Sequence, residues 1–210
     1  DQWRHKLFYD LIEATFEQIK IGGWVMIPLV ILSLWMWFLI TKKIKDMYGF
    51  VRGDVSVQDC IATIGTDRFT AAYWQREIIE GFMAQRTDDE KLNQPILDSL
   101  RIKQEDYVKR YVATIALLAA LAPLLGLLGT VGGMVKTFEV IAVFGTGNAR
   151  ALASGISEAL ITTQTGLVVA VPGMFFAGEL VRRSNMLLGR MQRFCLGLSR
   201  AQFVVSMDQE

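Results

Sequence analysis

Residues 111–144 read YVATIALLAALAPLLGLLGTVGGMVKTFEVIAVF, an apolar run whose only charged residues are Lys136 and Glu139. At the rise of an α-helix this stretch extends about 50 Å, against a hydrocarbon layer of about 30 Å. Such a helix crosses a bilayer and protrudes from it. The run decides the fold class: an all-α membrane protein.

Two further apolar blocks flank it. Residues 24–40 contain no charged residue, and Lys42, Lys43 and Lys45 follow at once. Gly145-Thr146-Gly147-Asn148 is a turn-like break, and the next apolar block ends at Arg182 and Arg183. The expected organisation is an amphipathic helix over 1–21, a first transmembrane helix over 22–41, and a polar helical segment over 42–110. A second transmembrane helix covers 111–144, a short loop 145–150, a third transmembrane helix 151–181, and a C-terminal helix 182–210. The second and third helices are expected to extend into the cytoplasm. In the first segment Trp3, Leu7, Phe8, Leu11, Ile12, Phe16 and Ile19 form one apolar face. Two placements are open for it: on the bilayer surface or packed against another part of the protein. Within 42–110, helical patterns are expected around 54–64 and 67–86, with a break at Pro95.

The polar segment 42–110 holds 12 of the 22 Lys and Arg residues. By the positive-inside rule it lies in the cytoplasm, as does the C-terminus, while the N-terminus and the loop near Arg150 lie outside. Cys60 and Cys195 then face a reducing compartment and are expected as reduced thiols. The chain starts at Asp1 rather than Met, so a trimmed or processed chain is expected.

Composition excludes several classes. Mean hydropathy is +0.32 and 52% of residues are hydrophobic. A net charge of +1 gives no support to nucleic-acid binding. With two cysteines in no CxxC pattern and one histidine, His5, neither a metal site nor a cofactor is expected. Nor is an enzyme, which needs a nucleophile–base set or metal ligands.

The informative residues are polar ones inside apolar helices, which persist only with a partner or a wet space. In the second span Pro123, Gly126, Thr130, Gly133 and Thr137 recur at steps of 3 and 4. In the third, Ala159, Thr163, Gly166, Ala170, Gly173 and Ala177 do the same, beside a stripe of Glu158, Thr162 and Thr165. Small residues at this spacing are a helix-packing seam that lets backbones approach, with Gly126, Gly133, Gly166, Ala170 and Gly173 at its centre. Thr130 and Thr163 lie near mid-span, where hydroxyls can line an ion path or bond their own backbone. Thr162 adds another hydroxyl. A carboxylate at Glu158 costs about 2–3 kcal/mol on insertion scales. Lys136 lies at a similar depth and is one candidate partner for it. Glu139, one turn from Lys136, is the competing candidate for a charge pair.

The stretch Ala122-Pro123-Leu124-Leu125-Gly126-Leu127-Leu128-Gly129-Thr130-Val131 resembles the second-span signature of the ExbB and TolQ branches of the MotA/TolQ/ExbB proton channel family. Gly155-Ile156-Ser157-Glu158-Ala159-Leu160-Ile161-Thr162-Thr163 resembles the third-span signature, and Gly166-Leu167-Val168-Val169-Ala170-Val171-Pro172 continues it. Three spans argue against the four-span MotA-like subunits. The resemblance implies an ExbB-like proton channel subunit of a bacterial inner-membrane motor. It implies a homopentamer enclosing an ExbD-like single-span partner dimer, and a TonB-like protein that carries the work to outer-membrane transporters. A TolQ-like role in envelope integrity shares every motif quoted. The family's pore threonines map onto Thr130 and Thr163, and its glutamate onto Glu158. The chain departs from the family pattern at Gly132, where an aromatic residue is common, at Thr162, where a small residue is common, and in the charges Lys136 and Glu139. A passive scaffold whose seams serve only assembly is the contrasting reading.

Overall fold

The computed structural model describes residues 18–56, 59–60, 71–87 and 90–207. Every element in them is helical: α1 (Met26–Val51), α2 (Tyr73–Gln85), α3 (Glu90–Lys109), α4 (Val112–Phe144), a 3-10 turn (Gly145–Gly147) and α5 (Ala149–Met207). Three helical stretches are long and apolar enough to cross a membrane. Residues 18–21 of the expected amphipathic helix are helical, and the rest of it lies outside the described residues. The pattern around 54–64 and the start of that around 67–86 also fall largely outside them.

Helix ends differ from the sequence expectation in three places. Lys42, Lys43 and Lys45 end the apolar stretch but not the helix, because lysine is a good helix former. α1 continues to Val51 and stops at Gly53, whose φ of +88° is the left-handed conformation of a helix C-terminal glycine. Pro95 does not break its segment but lies inside α3. It stands near the start of that helix, where the carbonyl it displaces belongs to a first turn that is free to tilt. The third apolar block and the C-terminal helix are one element of 59 residues, about 90 Å long. Arg182 and Arg183 mark a change of surroundings without interrupting the backbone.

The chain divides into two compact units. The first comprises the described residues within 1–40 and 114–177. Within it Met26, Leu29, Leu32, Met36 and Leu39 make the buried face of α1, with Val25 buried just before it, and Leu32 packs with Ala122 and Ala170. The opposite face shows Ile27, Ile31, Leu34, Trp35 and Phe38 outward. Apolar residues on both faces are what a helix bathed in lipid or in apolar neighbours carries.

The second unit comprises the described residues within 41–113 and 178–210. It is built as a water-soluble helical domain is, around Phe50, Trp74, Ile78, Phe82, Leu97, Leu187, Met191 and Phe194. Trp74 and Phe194 meet edge to face with centroids 5.1 Å apart. The buried Gln75 side chain accepts from the amides of Val55 and Ala72 at 3.2 and 3.1 Å and donates to the Val55 carbonyl at 2.7 Å. It thereby satisfies a stretch of backbone that lies outside any helix. α3 and α4 are separated at Tyr111, a non-glycine residue with φ of +67°. Its ring has Lys42 Nζ at 5.1 Å and the Arg110 guanidinium at 4.9 Å. Nearby, buried Lys43 donates to the Tyr107 carbonyl at 3.1 Å, in the last turn of α3, where a cation suits the helix dipole.

Candidate functional site

The site lies in the first unit, where α4 and α5 run antiparallel in close contact. The closeness shows in what a methyl group would strike at each glycine. At Gly126 it would stand 3.0 Å from the Thr162 carbonyl oxygen and 3.3 Å from the Gly166 Cα. At Gly133 it would stand 2.7 Å from the Ala159 nitrogen and 2.8 Å from the Gly155 oxygen. At Gly166 it would stand 2.9 Å from the Ala122 oxygen. Gly173 faces Ala119 of α4 and Met36 of α1, and Ala170 is buried against Ala122 and Leu32. The seam of small residues is therefore spent inside the chain, on bringing two backbones together.

The threonines occupy different places along this interface. Thr163 Oγ1 lies across it, donating to Gly126 O at 3.3 Å and sharing with Ala159 O of its own helix at 3.4 Å. Thr162 is fully buried against Gly129, and its hydroxyl is taken by Ala159 O at 2.9 Å. It is shut inside the helix pair. Thr130 stands beside the seam rather than on it, half-exposed, donating to Leu127 O at 2.7 Å. Two turns further along α4, about 10 Å away, Thr137 does fill the seam, buried against Gly155 and bonded to Gly133 O at 2.9 Å.

The charged residues converge. Lys136 Nζ of α4 donates to Glu158 Oε2 of α5 at 2.8 Å. Glu139, the competing partner, is exposed on α4 and is not the acceptor. The two sides of the pair are unequal: Glu158 is 13% exposed and Lys136 59% in the isolated chain. A charge-assisted bond of this length is among the stronger polar contacts available. It ties the carboxylate to a helix pair whose interface is otherwise lined by small residues and threonine hydroxyls. A further contact was not legible as a site residue: Gly23, which the sequence marks only as a helix break, lies directly against the Glu158 carboxyl group. Among the described residues no group of three His, Cys, Asp or Glu side chains is placed to hold a metal ion.

A profile of the MotA/TolQ/ExbB proton channel family matches residues 65–193, more than half of the chain. The chain belongs to this family. The MotA/TolQ/ExbB match takes in α2, α3, the whole of α4, the α4–α5 turn and α5 as far as residue 193, so it includes Lys136, Glu158 and every threonine described above. The Tol-Pal system protein TolQ of Pseudomonas aeruginosa is 36% identical over 64 residues, which is 30% of this chain and 28% of that relative. Family membership and three apolar helices make the chain a membrane protein.

Proposed function

We propose that this chain is the ion-path subunit of a bacterial inner-membrane motor. In this reading it uses the proton motive force, in the manner of ExbB, to energise TonB-dependent transport across the outer membrane. The observation that carries the reading is the Lys136–Glu158 pair, set within apolar helices of a proton channel family member. Ionisable residues inside a span are costly, and they mark ion pathways. The Thr163 hydroxyl, bridging α4 and α5, supplies a polar group that can hand on a hydrogen bond without holding charge. In this reading the chain lines the path, and the principal proton carrier belongs to a partner. That partner is an ExbD-like single-span dimer inside a homopentamer of this chain, coupled to a TonB-like protein and embedded in lipid. The N-terminus is periplasmic and the C-terminus cytoplasmic. Each charge that crosses releases about 2.3 kcal/mol per 100 mV, enough to bias a rotary step when several cross together. The match to a TolQ favours a second reading, a TolQ-like subunit serving envelope integrity.

The test is to co-purify the chain with its single-span partner and measure proton uptake in proteoliposomes under an imposed potential. Glu158→Ala and Thr163→Ala are expected to assemble normally and lose uptake. If both assemble and conduct as the unaltered chain does, a passive scaffold replaces the motor reading. Complementation then separates the two motor roles, restored TonB-dependent uptake against restored resistance to detergent.

A further inference from the structure

The first apolar helix begins at a glycine pair whose geometry serves more than a turn. The Gly22 amide donates to Gln18 O at 2.9 Å, closing the preceding helical turn, and Gly23 follows with φ of +68°. The Met26 amide then donates to Gly23 O at 3.2 Å and opens α1. By itself this is a helix end with a left-handed glycine. Yet the space where a Cβ of residue 23 would stand is taken by the Glu158 carboxyl group: Oε1 fills it, with Cδ 3.0 Å and Cγ 3.6 Å away. The carboxylate is thus bounded by the Lys136 ammonium through Oε2 and by the bare Cα of Gly23 at Oε1. The adjoining residue, Trp24, brings its indole nitrogen to 4.0 Å from where a Cβ of Gly132 would lie. The start of α1 therefore lies over α4 and α5 at the level of the ion pair.

We infer that Gly23 is a positioning residue for Glu158: its missing side chain is the seat that keeps the carboxylate on Lys136. The inference deepens the ion-path reading and rests on it, since it names what holds the charged group of that path in register. Two demands fall on residue 23, a left-handed backbone and an empty Cβ site, and they separate experimentally. Asparagine tolerates the left-handed region but fills the seat. Gly145 is the matched control, with φ of +66° and nothing within 4 Å of its Cβ position.

The probe is dicyclohexylcarbodiimide, an apolar reagent that modifies carboxyl groups not tied into an ion pair, applied to the full chain with its co-purified partner. Labelling of Glu158 is read by mass spectrometry. Gly23→Asn is expected to raise labelling severalfold, as Lys136→Met does, and to abolish proton uptake, whereas Gly145→Asn changes neither. Equal labelling of Gly23→Asn and the unaltered chain overturns the inference. Should Gly23→Asn fail to accumulate, Gly23→Asn/Glu158→Ala is expected to return to the level of Glu158→Ala, because removing the carboxyl empties the seat. A double variant that stays absent also overturns it. A chain that conducts no protons in any form sinks the functional reading alone, because the labelling contrast does not depend on conduction.

Discussion

Gly126, Gly132 and Gly133 lie within two turns of one helix, yet the structure assigns them different tolerances for a single added methyl group. At Gly133 the methyl meets the Ala159 nitrogen at 2.7 Å, the Gly155 oxygen at 2.8 Å and the Ala159 Cβ at 2.9 Å. Ordinary contact begins near 3.4 Å. Two of these three neighbours are backbone atoms of a long helix, so relief requires α4 and α5 to part locally by about 0.7 Å. A gap of 0.5–1 Å forfeits roughly a quarter to a half of each contact along the seam. Gly133→Ala is therefore expected to cost about 1–3 kcal/mol, the range for overpacking a close-packed interior. At Gly126 the neighbours stand 3.0–3.3 Å away, and the loss is smaller. At Gly132 the nearest atom is the Trp24 indole nitrogen at 4.0 Å. There the substitution only replaces a flexible helical residue with a better helix former, a gain of up to about 1 kcal/mol. The assay is thermal unfolding of the purified chain, followed by intrinsic tryptophan fluorescence in one detergent. The expected order of midpoints is Gly132→Ala at or above the unaltered chain, then Gly126→Ala, then Gly133→Ala. Equal losses at Gly132 and Gly133 would refute the close approach of α4 to α5.

Three other perturbations follow from the same geometry. Lys136→Met leaves Glu158 largely buried and unpaired. Truncating one partner of a fully desolvated pair costs about 2–5 kcal/mol, and less here because Lys136 is 59% exposed; unchanged unfolding midpoint and proton uptake would sink the pairing argument. In the second unit, beyond the apolar part of α5, burial pushes the Cys195 thiol up to about 11, and burial followed by the nearby Asp54 carboxylate raises Cys60. Both thiols stay protonated until pH approaches these raised values, so maleimide should modify native protein slowly at pH 7–8 and rapidly after denaturation; fast native labelling of Cys195 contradicts its buried position. Gln75→Ala strips the partners from the Val55 and Ala72 amides at about 1–3 kcal/mol for each group left buried and unsatisfied, which a lower melting temperature by circular dichroism would register.

The bilayer explains why much of this was legible from residue order alone. Helices in lipid satisfy their own backbones, so a long apolar run has few alternatives to a spanning helix. The three runs in this chain announce themselves by length and by the basic residues at one end of each. Spacing was equally informative about the seam. Small residues at steps of 3 and 4 lie on one side of any α-helix, and Gly126, Gly133, Gly166 and Gly173 do meet another helix there. Similar depth from the external end made Glu158 a candidate partner for Lys136, although Glu139 competed on equal chemical terms. Helix ends were harder. Charge and proline often accompany helix boundaries, which makes Lys42 and Pro95 look like stops, but neither forbids helix where it stands.

The sequence by itself determined that the chain is helical and membrane-spanning, which faces carry small residues, and which charges lie inside the spans. Periodicity names a face without naming what the face meets, and the tertiary structure alone decided that. The seam turned out to be intramolecular. Rotation of α5 against α4 buried Thr162 against Gly129 and left Thr130 half-exposed beside it. The same packing brought residue 23 onto residue 158, a contact between chain segments too far apart for any local spacing rule to reach. It follows from how the start of α1 lies over the other two helices.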